Sequence, residues 1–313
     1  MMTRSECARW LERHDDYCIL THRRPDGDTV GSAAALCLGL RKLGKKAYVL
    51  DSGEISGRFT FLVDGLLRAE AGEGDTVVSV DVAAPGMLPR AFAHLTDRVA
   101  LRIDHHGSAT SFTERELVDP LSASCAEIVW DLLAEMGIAM DKAMAEAVYV
   151  GASTDTGCFR FANTTAHTFA AAAACAAAGA EIYRLNQELF ETNTLSKLRM
   201  QSWIVGNMKI FGDGALAIVA IPRAVEELIG VTDDDMDNIS NFPRTVAGVC
   251  MAATLRQTRE GDTKISVRAI PGWDATVVCE SFGGGGHKGA AGATTRLSLE
   301  ETAQKLEEIM LRQ

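Results

Sequence analysis

Four short runs of apolar and β-branched residues, each closing on polar or acidic ones, punctuate the first third of the chain: Tyr17 to His22, Ala47 to Asp51, Thr76 to Asp81 and Val99 to Asp104. Runs of this length and make-up predict strands. Between the first two, Thr29 to Leu43 is rich in alanine and leucine and stops at Gly44, with Lys42, Lys45 and Lys46 gathered at its end. Cations there complement the carbonyl end of a helix dipole, so this stretch predicts a helix. Strand alternating with helix predicts an α/β layer built on a parallel sheet, with helices on both faces. From Ser122 to Gly179 the period becomes helical, and Ala123–Met136, Asp141–Ser153 and Thr165–Ala178 are expected to finish this first domain.

Glu181 to Gly206 reads as a further helical stretch leading out of that domain, after which the pattern changes. Met208–Phe211, Ala215–Ile221, Ala247–Arg256 and Lys264–Ile270 alternate as strands, with Asp213-Gly214 as a turn between the first two. Helices are expected at Asp233–Asn241, Asp274–Phe282 and Leu299–Arg312. The expectation is therefore an α/β protein of two domains: residues 1–190 around the parallel sheet, a helical linker over 191–207, and a smaller mixed-sheet α/β domain over 208–313. A chain of 313 residues suits two domains of about 100 to 200 residues each.

Composition narrows the class of function. With 47% hydrophobic and 23% charged residues the chain reads as globular, and no window offers the ~20 consecutive apolar residues of a membrane span. The charged start, MMTRSECARWLERHDD, carries no apolar leader, so a cytoplasmic protein without membrane contact is expected. Eight cysteines, at 7, 18, 37, 125, 158, 175, 250 and 279, show no CxxC pair and read as buried, reduced thiols rather than zinc ligands or disulfides. The net charge of -11 argues against gripping long nucleic acid through many phosphates. It leaves room for small phosphorylated substrates, because bound metal ions supply positive charge locally.

The acids and histidines carry the chemistry. His22, Asp26 and Asp28 follow the first strand, Asp81 ends the third, and Asp104-His105-His106 ends the fourth. In an open α/β sheet the carboxyl ends of the strands share one edge, where ligands bind. Asp155, after a helical pattern, can reach that edge from the other side. A lone aspartate at a strand end is ordinarily a cap or turn residue, and Asp26-Gly27-Asp28 suits a helix-capping turn as well as a ligand. So many carboxylates in one place repel one another unless cations join them. Four carboxylates and two imidazoles without thiolate match two divalent ions. Manganese is favoured, iron and cobalt come next, and magnesium is a poorer match because it prefers fewer nitrogens. A pair of ions about 3.5–4 Å apart supports phosphoester hydrolysis.

With these motifs in view the sequence resembles the DHH phosphoesterases, which include RecJ exonucleases, family II inorganic pyrophosphatases and small NrnA-type oligoribonucleases. The motifs occur in order as His22-Arg23-Arg24-Pro25-Asp26-Gly27-Asp28, Ser79-Val80-Asp81, Asp104-His105-His106 and Thr154-Asp155-Thr156-Gly157. The resemblance implies that His22 and Asp26 hold one manganese, that Asp28, His105 and Asp155 hold the other, and that Asp81 bridges them. It leaves His106 facing the substrate or the attacking water, with Asp104 orienting the neighbouring imidazoles.

Further along, Gly283 to Gly292 resembles the glycine-rich signature of the DHH-associated C-terminal domain. It implies substrate binding by Gly284, Gly285, Gly286 and His287, with Arg268 as a phosphate clamp and the active site in the cleft between domains. Two departures stand out. No arginine follows Asp81 within 82–87, and the residues after His106 are Gly107-Ser108-Ala109, without the asparagine common in relatives. The glycine-rich motif argues against a pyrophosphatase, and the length leaves no room for a RecJ-type nucleic-acid domain. The resemblance thus implies a manganese enzyme, with cobalt, iron or magnesium as substitutes. It would trim oligonucleotides of about two to five residues and dephosphorylate 3′-phosphoadenosine 5′-phosphate, as a monomer or homodimer. The alternatives are a phosphodiesterase acting on cyclic di-AMP or linear diadenylate, and a nucleotide-sensing module without turnover.

Overall fold

The computed structural model describes residues 1–107, 110–236 and 239–312, and divides into two compact units, Met1–Thr192 and Asn193–Gln313. The first unit opens with α1 (Arg4–Arg13) and is built on six strands: β1 (Tyr17–Leu20), β2 (Ala47–Leu50), β3 (Leu67–Arg68), β4 (Thr76–Val80), β5 (Val99–Asp104) and β6 (Glu116–Val118). All pairings are parallel, in the order β3-β2-β1-β4-β5-β6. Helix α2 (Gly27–Lys42) joins β1 to β2, and α3 (Cys125–Glu135), α4 (Lys142–Asp155), α5 (Ala166–Ala177) and α6 (Ile182–Asn186) follow β6.

Side chains alternate between two cores. Tyr17, Ile19, Val49, Val78, Val80, Leu101 and Ile103 pack on one face under α1 to α4. Cys18, Leu20, Tyr48, Leu50, Val77 and Val99 face the other way, under Phe92 and Leu95 of the 3₁₀ helix Arg90–Arg98. Helical turns thus lie on both faces, and among the described residues the second face is covered by the 3₁₀ turns Pro85–Met87 and Arg90–Arg98 of the β4–β5 connection. The crossover from β1 runs toward β2 and that from β4 toward β5, so the strand order reverses between β1 and β4. A reversal of that kind opens a crevice at the carboxyl ends of the two strands, and those ends carry His22, Asp26 and Asp81.

In the second unit, α7 (Leu195–Asn207) precedes β7 (Lys209–Phe211), β8 (Leu216–Ile221), α8 (Arg223–Ile229), β9 (Met251–Gln257), β10 (Thr263–Ala269), α9 (Ala275–Glu280), β11 (Gly285–His287), β12 (Ala290–Thr295) and α10 (Leu299–Met310). The sheet order is β11-β12-β10-β9-β8-β7, with β8 and β9 parallel and the rest antiparallel. Ile265, Val267, Met251 and Ala253 pack in a core with Val278 and Cys279 of α9 and Leu306 of α10, while Val219 and Ile221 face Met200 and Ile204 of α7.

The structure departs from the sequence pattern at several places. The expected linker, 191–207, is not free-standing: from Asn193 on it belongs to the second unit, held by burial of Met200 and Ile204. The helical stretch expected over 181–206 is made of α6, a π turn at Gln187–Glu191 and α7, the last started by Thr194 as N-cap. The helix expected over Asp233–Asn241 is absent where described: 233–236 is a turn, Ile239–Asn241 is a 3₁₀ turn, and Asp237 and Asn238 lie outside the described residues. Asp235 accepts from the Thr232 amide at 2.9 Å, a local bond that competes with a helix, and is tied to the start of α7 by the Thr194 hydroxyl. All eight cysteines are free and six are buried. Among the described residues no helix is long and apolar enough to cross a membrane.

Candidate metal centre

The crevice draws on five segments. Asp26 caps α2, its Oδ1 accepting from the amides of Asp28 at 3.0 Å and Thr29 at 3.2 Å. The same oxygen lies 3.6 Å from His22 Nε2, so the capping turn and the acid cluster share one atom. Asp81 follows β4 in the left-handed region (φ +58°), a conformation aspartate tolerates better than most residues, and its amide is fixed by the Ile103 carbonyl at 2.9 Å. Asp155 closes α4 on the opposite wall.

Close helix packing makes that wall possible. A Cβ at Gly27 would overlap Thr154, one at Gly31 the Ala147 carbonyl, and one at Gly151 both Ala126 and Asp28 Oδ1. These three glycines let α2 and α4 run almost backbone to backbone, which brings the start of α2, carrying Asp28, beside the end of α4, carrying Asp155. Asp28 is fully buried and sits on the N-terminus of α3: its Oδ2 accepts from the Cys125 amide at 2.7 Å and its Oδ1 from Ala126 at 2.9 Å. Unpaired helix N–H groups are a natural seat for a carboxylate. The sequence reading missed this seat, although Ser124 and Glu127 carry the S-x-x-E signature of a helix start.

Two groups of donors result, joined at Asp81. In one, His22 Nε2 lies 3.6 Å from Asp26 Oδ1 and 3.5 Å from Asp81 Oδ2. In the other, His105 Nε2 lies 3.5 Å from Asp81 Oδ1, 3.7 Å from Asp28 Oδ2 and 3.6 Å from Asp155 Oδ2. Such separations exceed a hydrogen bond. They suit donors sharing an ion, because two bonds of about 2.1 Å place their atoms up to ~4.2 Å apart. Among the described residues, Asp81 Oδ1 is also buried without a hydrogen-bond partner.

The imidazoles are aimed accordingly. His22 Nδ1 donates to the Arg23 carbonyl at 2.9 Å and His105 Nδ1 to the Ser122 carbonyl at 3.3 Å. A carbonyl only accepts, so Nδ1 carries a proton in each ring and Nε2 is the atom turned to the acids, where it can give its lone pair to an ion, the usual arrangement behind a metal-binding histidine. His106 differs: its Nδ1 is bonded to Asp104 Oδ1 at 2.8 Å, and that oxygen also accepts from the His105 and His106 amides. Asp104, fully buried, therefore positions both histidines.

Without an ion, the pull of the buried acids on protons shows how strongly the cluster asks for positive charge. Burial, then the charges of Asp81 and Asp155, hold Asp28 well above the ordinary carboxylate range. Burial followed by the other carboxylates lifts Asp155 to about 7, against the opposing pull of His105. Burial works against a charged His105, but Asp81, Asp28 and Asp155 outweigh it and raise the ring to about 10. Protons stand where divalent ions would relieve the same repulsion.

The remaining candidates lie on the sheet of the second unit. Arg268 on β10 pairs with Ala290 on β12, which pairs with His287 on β11, so arginine and histidine share one cross-strand row on one face, two strands or about 10 Å apart. The glycine-rich run forms β11 and the turn into β12. A Cβ at Gly284 would overlap the Gly292 carbonyl and one at Gly286 the Ala290 carbonyl, so both glycines serve the close pairing of the hairpin, while Gly285 faces open space. Of the residues after His106, Ser108 and Ala109 lie outside the described residues.

Residues 16–152 match the N-terminal domain of the DHH family, and residues 221–311 match the DHHA1 domain. The chain is 32% identical to the bifunctional oligoribonuclease and PAP phosphatase NrnA of Thermus thermophilus, over 92% of this chain and 87% of that protein. Its fold is similar to that of an exopolyphosphatase-related protein from Bacteroides fragilis, with a TM-score of 0.85 at 24% identity over 99% of this chain and 97% of the other. It is similar, at a TM-score of 0.55 and 16% identity over 100% and 95% of the two chains, to exonuclease RecJ bound to manganese.

Proposed function

The chain belongs to the DHH family and is a phosphoesterase, and from that premise we propose that it is a two-manganese enzyme that hydrolyses short oligonucleotides of about two to five residues to mononucleotides and 3′-phosphoadenosine 5′-phosphate to AMP. The observation that carries this reading is Asp81, whose two oxygens each lie 3.5 Å from a different imidazole Nε2, one in each donor group. His22 and Asp26 would hold one ion, Asp28, His105 and Asp155 the other, and Asp81 both. The oxygen and imidazole donor set favours manganese over a thiolate-loving metal, with cobalt, iron or magnesium as substitutes. When bound, such a pair supplies an activated water and neutralises charge on phosphoryl oxygens.

The residues of the chain do the rest. Asp104 locks the His106 ring through Nδ1 and raises its affinity for a proton, which leaves Nε2 to donate that proton to the leaving oxygen. Arg268 and His287, with Gly284 to Gly286, bind the substrate's second phosphate. The bifunctional relative in Thermus thermophilus supports the choice of substrates. The free cysteines are in keeping with a reducing, cytoplasmic setting. Short nucleotides are the expected partners, for a monomer or homodimer.

The test is chromatographic: purified protein with manganese receives 5′-phosphorylated diadenylate in one tube and 3′-phosphoadenosine 5′-phosphate in another. AMP from both is the expected result. AMP from neither, with cyclic di-AMP or pyrophosphate consumed instead, would overturn the substrate assignment, and tight nucleotide binding without any turnover would overturn the enzyme reading.

A further inference from the structure

In the second unit, we propose that Arg244 is a second cation of the substrate-phosphate subsite, paired with Arg268 and aligned with it by Asn241, so that the unit grips a terminal phosphate monoester rather than a bridging diester. The proposal deepens the phosphoesterase reading and rests on it. Arg268 is largely buried, and among the described residues the acceptors of its guanidinium are neutral: Nε donates to Asn241 Oδ1 at 2.8 Å and Nη1 to the Val267 carbonyl at 3.1 Å. Among the described residues no carboxylate forms an ion pair with Arg268 or Arg244. A buried guanidinium without a counter-ion is costly unless an anion arrives to complete it.

The geometry points Arg244 to the same place. Asn241 ends the 3₁₀ turn Ile239–Asn241 and Arg244 lies in the next one, Pro243–Thr245, with Phe242 helical between them. In a chain of three residues per turn, side chains three apart eclipse one another, so Arg244 stands over the same side as the Asn241 amide that touches Arg268. Burial is the largest influence lowering the affinity of Arg268 for its proton, and the Arg244 charge acts in the same direction. On the same sheet face Ala290 and Gly292 of β12 are exposed and carry at most a methyl group. This leaves a shallow trough bounded by Arg268 on one side and His287 on the other. Two guanidinium groups and an imidazole around small side chains match a dianionic monoester, which offers more terminal oxygens and charge than a diester.

The test is binding in metal-free buffer containing EDTA, where turnover is excluded, measured by titration calorimetry on the full chain with 5′-phosphorylated diadenylate and with unphosphorylated diadenylate. Wild type is expected to prefer the phosphorylated ligand by roughly 10- to 100-fold, as charge-assisted hydrogen bonds of this kind warrant. In R244Q that preference should fall at least tenfold, and in R244K, which keeps the charge but loses the planar fork, it should fall by less. A wild type with no preference, or a preference that survives R244Q, overturns the subsite. Because hydrolysis plays no part in this measurement, a failure of the phosphoesterase reading shows up separately, in the chromatographic assay with manganese.

Discussion

The two units solve opposite electrostatic problems. The edge of the first sheet concentrates like charges: Asp26, Asp28, Asp81 and Asp155 converge with His22 and His105 from four segments, with His22, Asp28 and Asp81 buried. The face of the second sheet does the reverse, setting an arginine and a histidine in one row with an alanine between them. An assembly of repelling carboxylates needs several backbones to meet accurately, so its residues are held by caps, helix termini and glycine contacts. A phosphate trough needs only strand register and small side chains. Substitutions in the first should therefore cost more than equivalent ones in the second.

The largest effect is expected at the junction of the two donor groups. Asp81→Asn keeps a residue that accepts the left-handed backbone, so the protein should fold, while kcat on 5′-phosphorylated diadenylate should drop on the order of 10³-fold, about 4 kcal/mol. Retention of more than a few per cent of wild-type kcat would remove Asp81 from its bridging role. Next comes Gly151→Ala, whose Cβ would overlap Ala126 and Asp28 Oδ1. Overpacking of this kind costs about 1–3 kcal/mol and should lower both the thermal midpoint and manganese affinity. An unchanged melting curve would show that α2 and α4 have slack.

In the second unit, His287→Ala should raise KM about tenfold, roughly 1.4 kcal/mol, with kcat nearly constant. A KM equal to wild type would take His287 out of the substrate site. The gentlest probe is pH. Without metal, Asp155 holds its proton up to about 7 and His105 up to about 10, and a divalent ion must displace both. The metal-free state thus carries the extra protons, so manganese affinity should increase as pH rises and be lost as it falls through 7, with protons released on binding. Calorimetry in buffers of different ionisation enthalpy reads that release; a pH-independent affinity between 6 and 8 would contradict the ligand set.

The same contrast explains what could be read from the sequence. The ends of β1, β4 and β5 were legible because a short apolar run stopped by an acid is a strong local signal, and Asp81 and Asp104-His105-His106 fall there. The seat of Asp28 on α3 and the glycines between α2 and α4 were not, because each depends on a partner about 100 or more residues away. Strands β3 and β6, two and three residues long, are too short for periodicity to show, and parallel pairing alone creates them. Helix α1 did carry a signal, the capping box between Thr3 and Glu6, and α8 was bracketed by Pro222 and Gly230. The hairpin of β11 and β12 was hidden by its own composition, since glycine disfavours strands unless close pairing requires it.

The most direct test of the central claim is a metal count tied to turnover: protein stripped with EDTA, titrated with manganese, and assayed for AMP release from 5′-phosphorylated diadenylate at each step. The account predicts no turnover in the stripped protein, two manganese ions bound per chain at saturation, and activity that follows their binding. Full turnover in EDTA, or saturation of activity with fewer than two ions per chain, would contradict it.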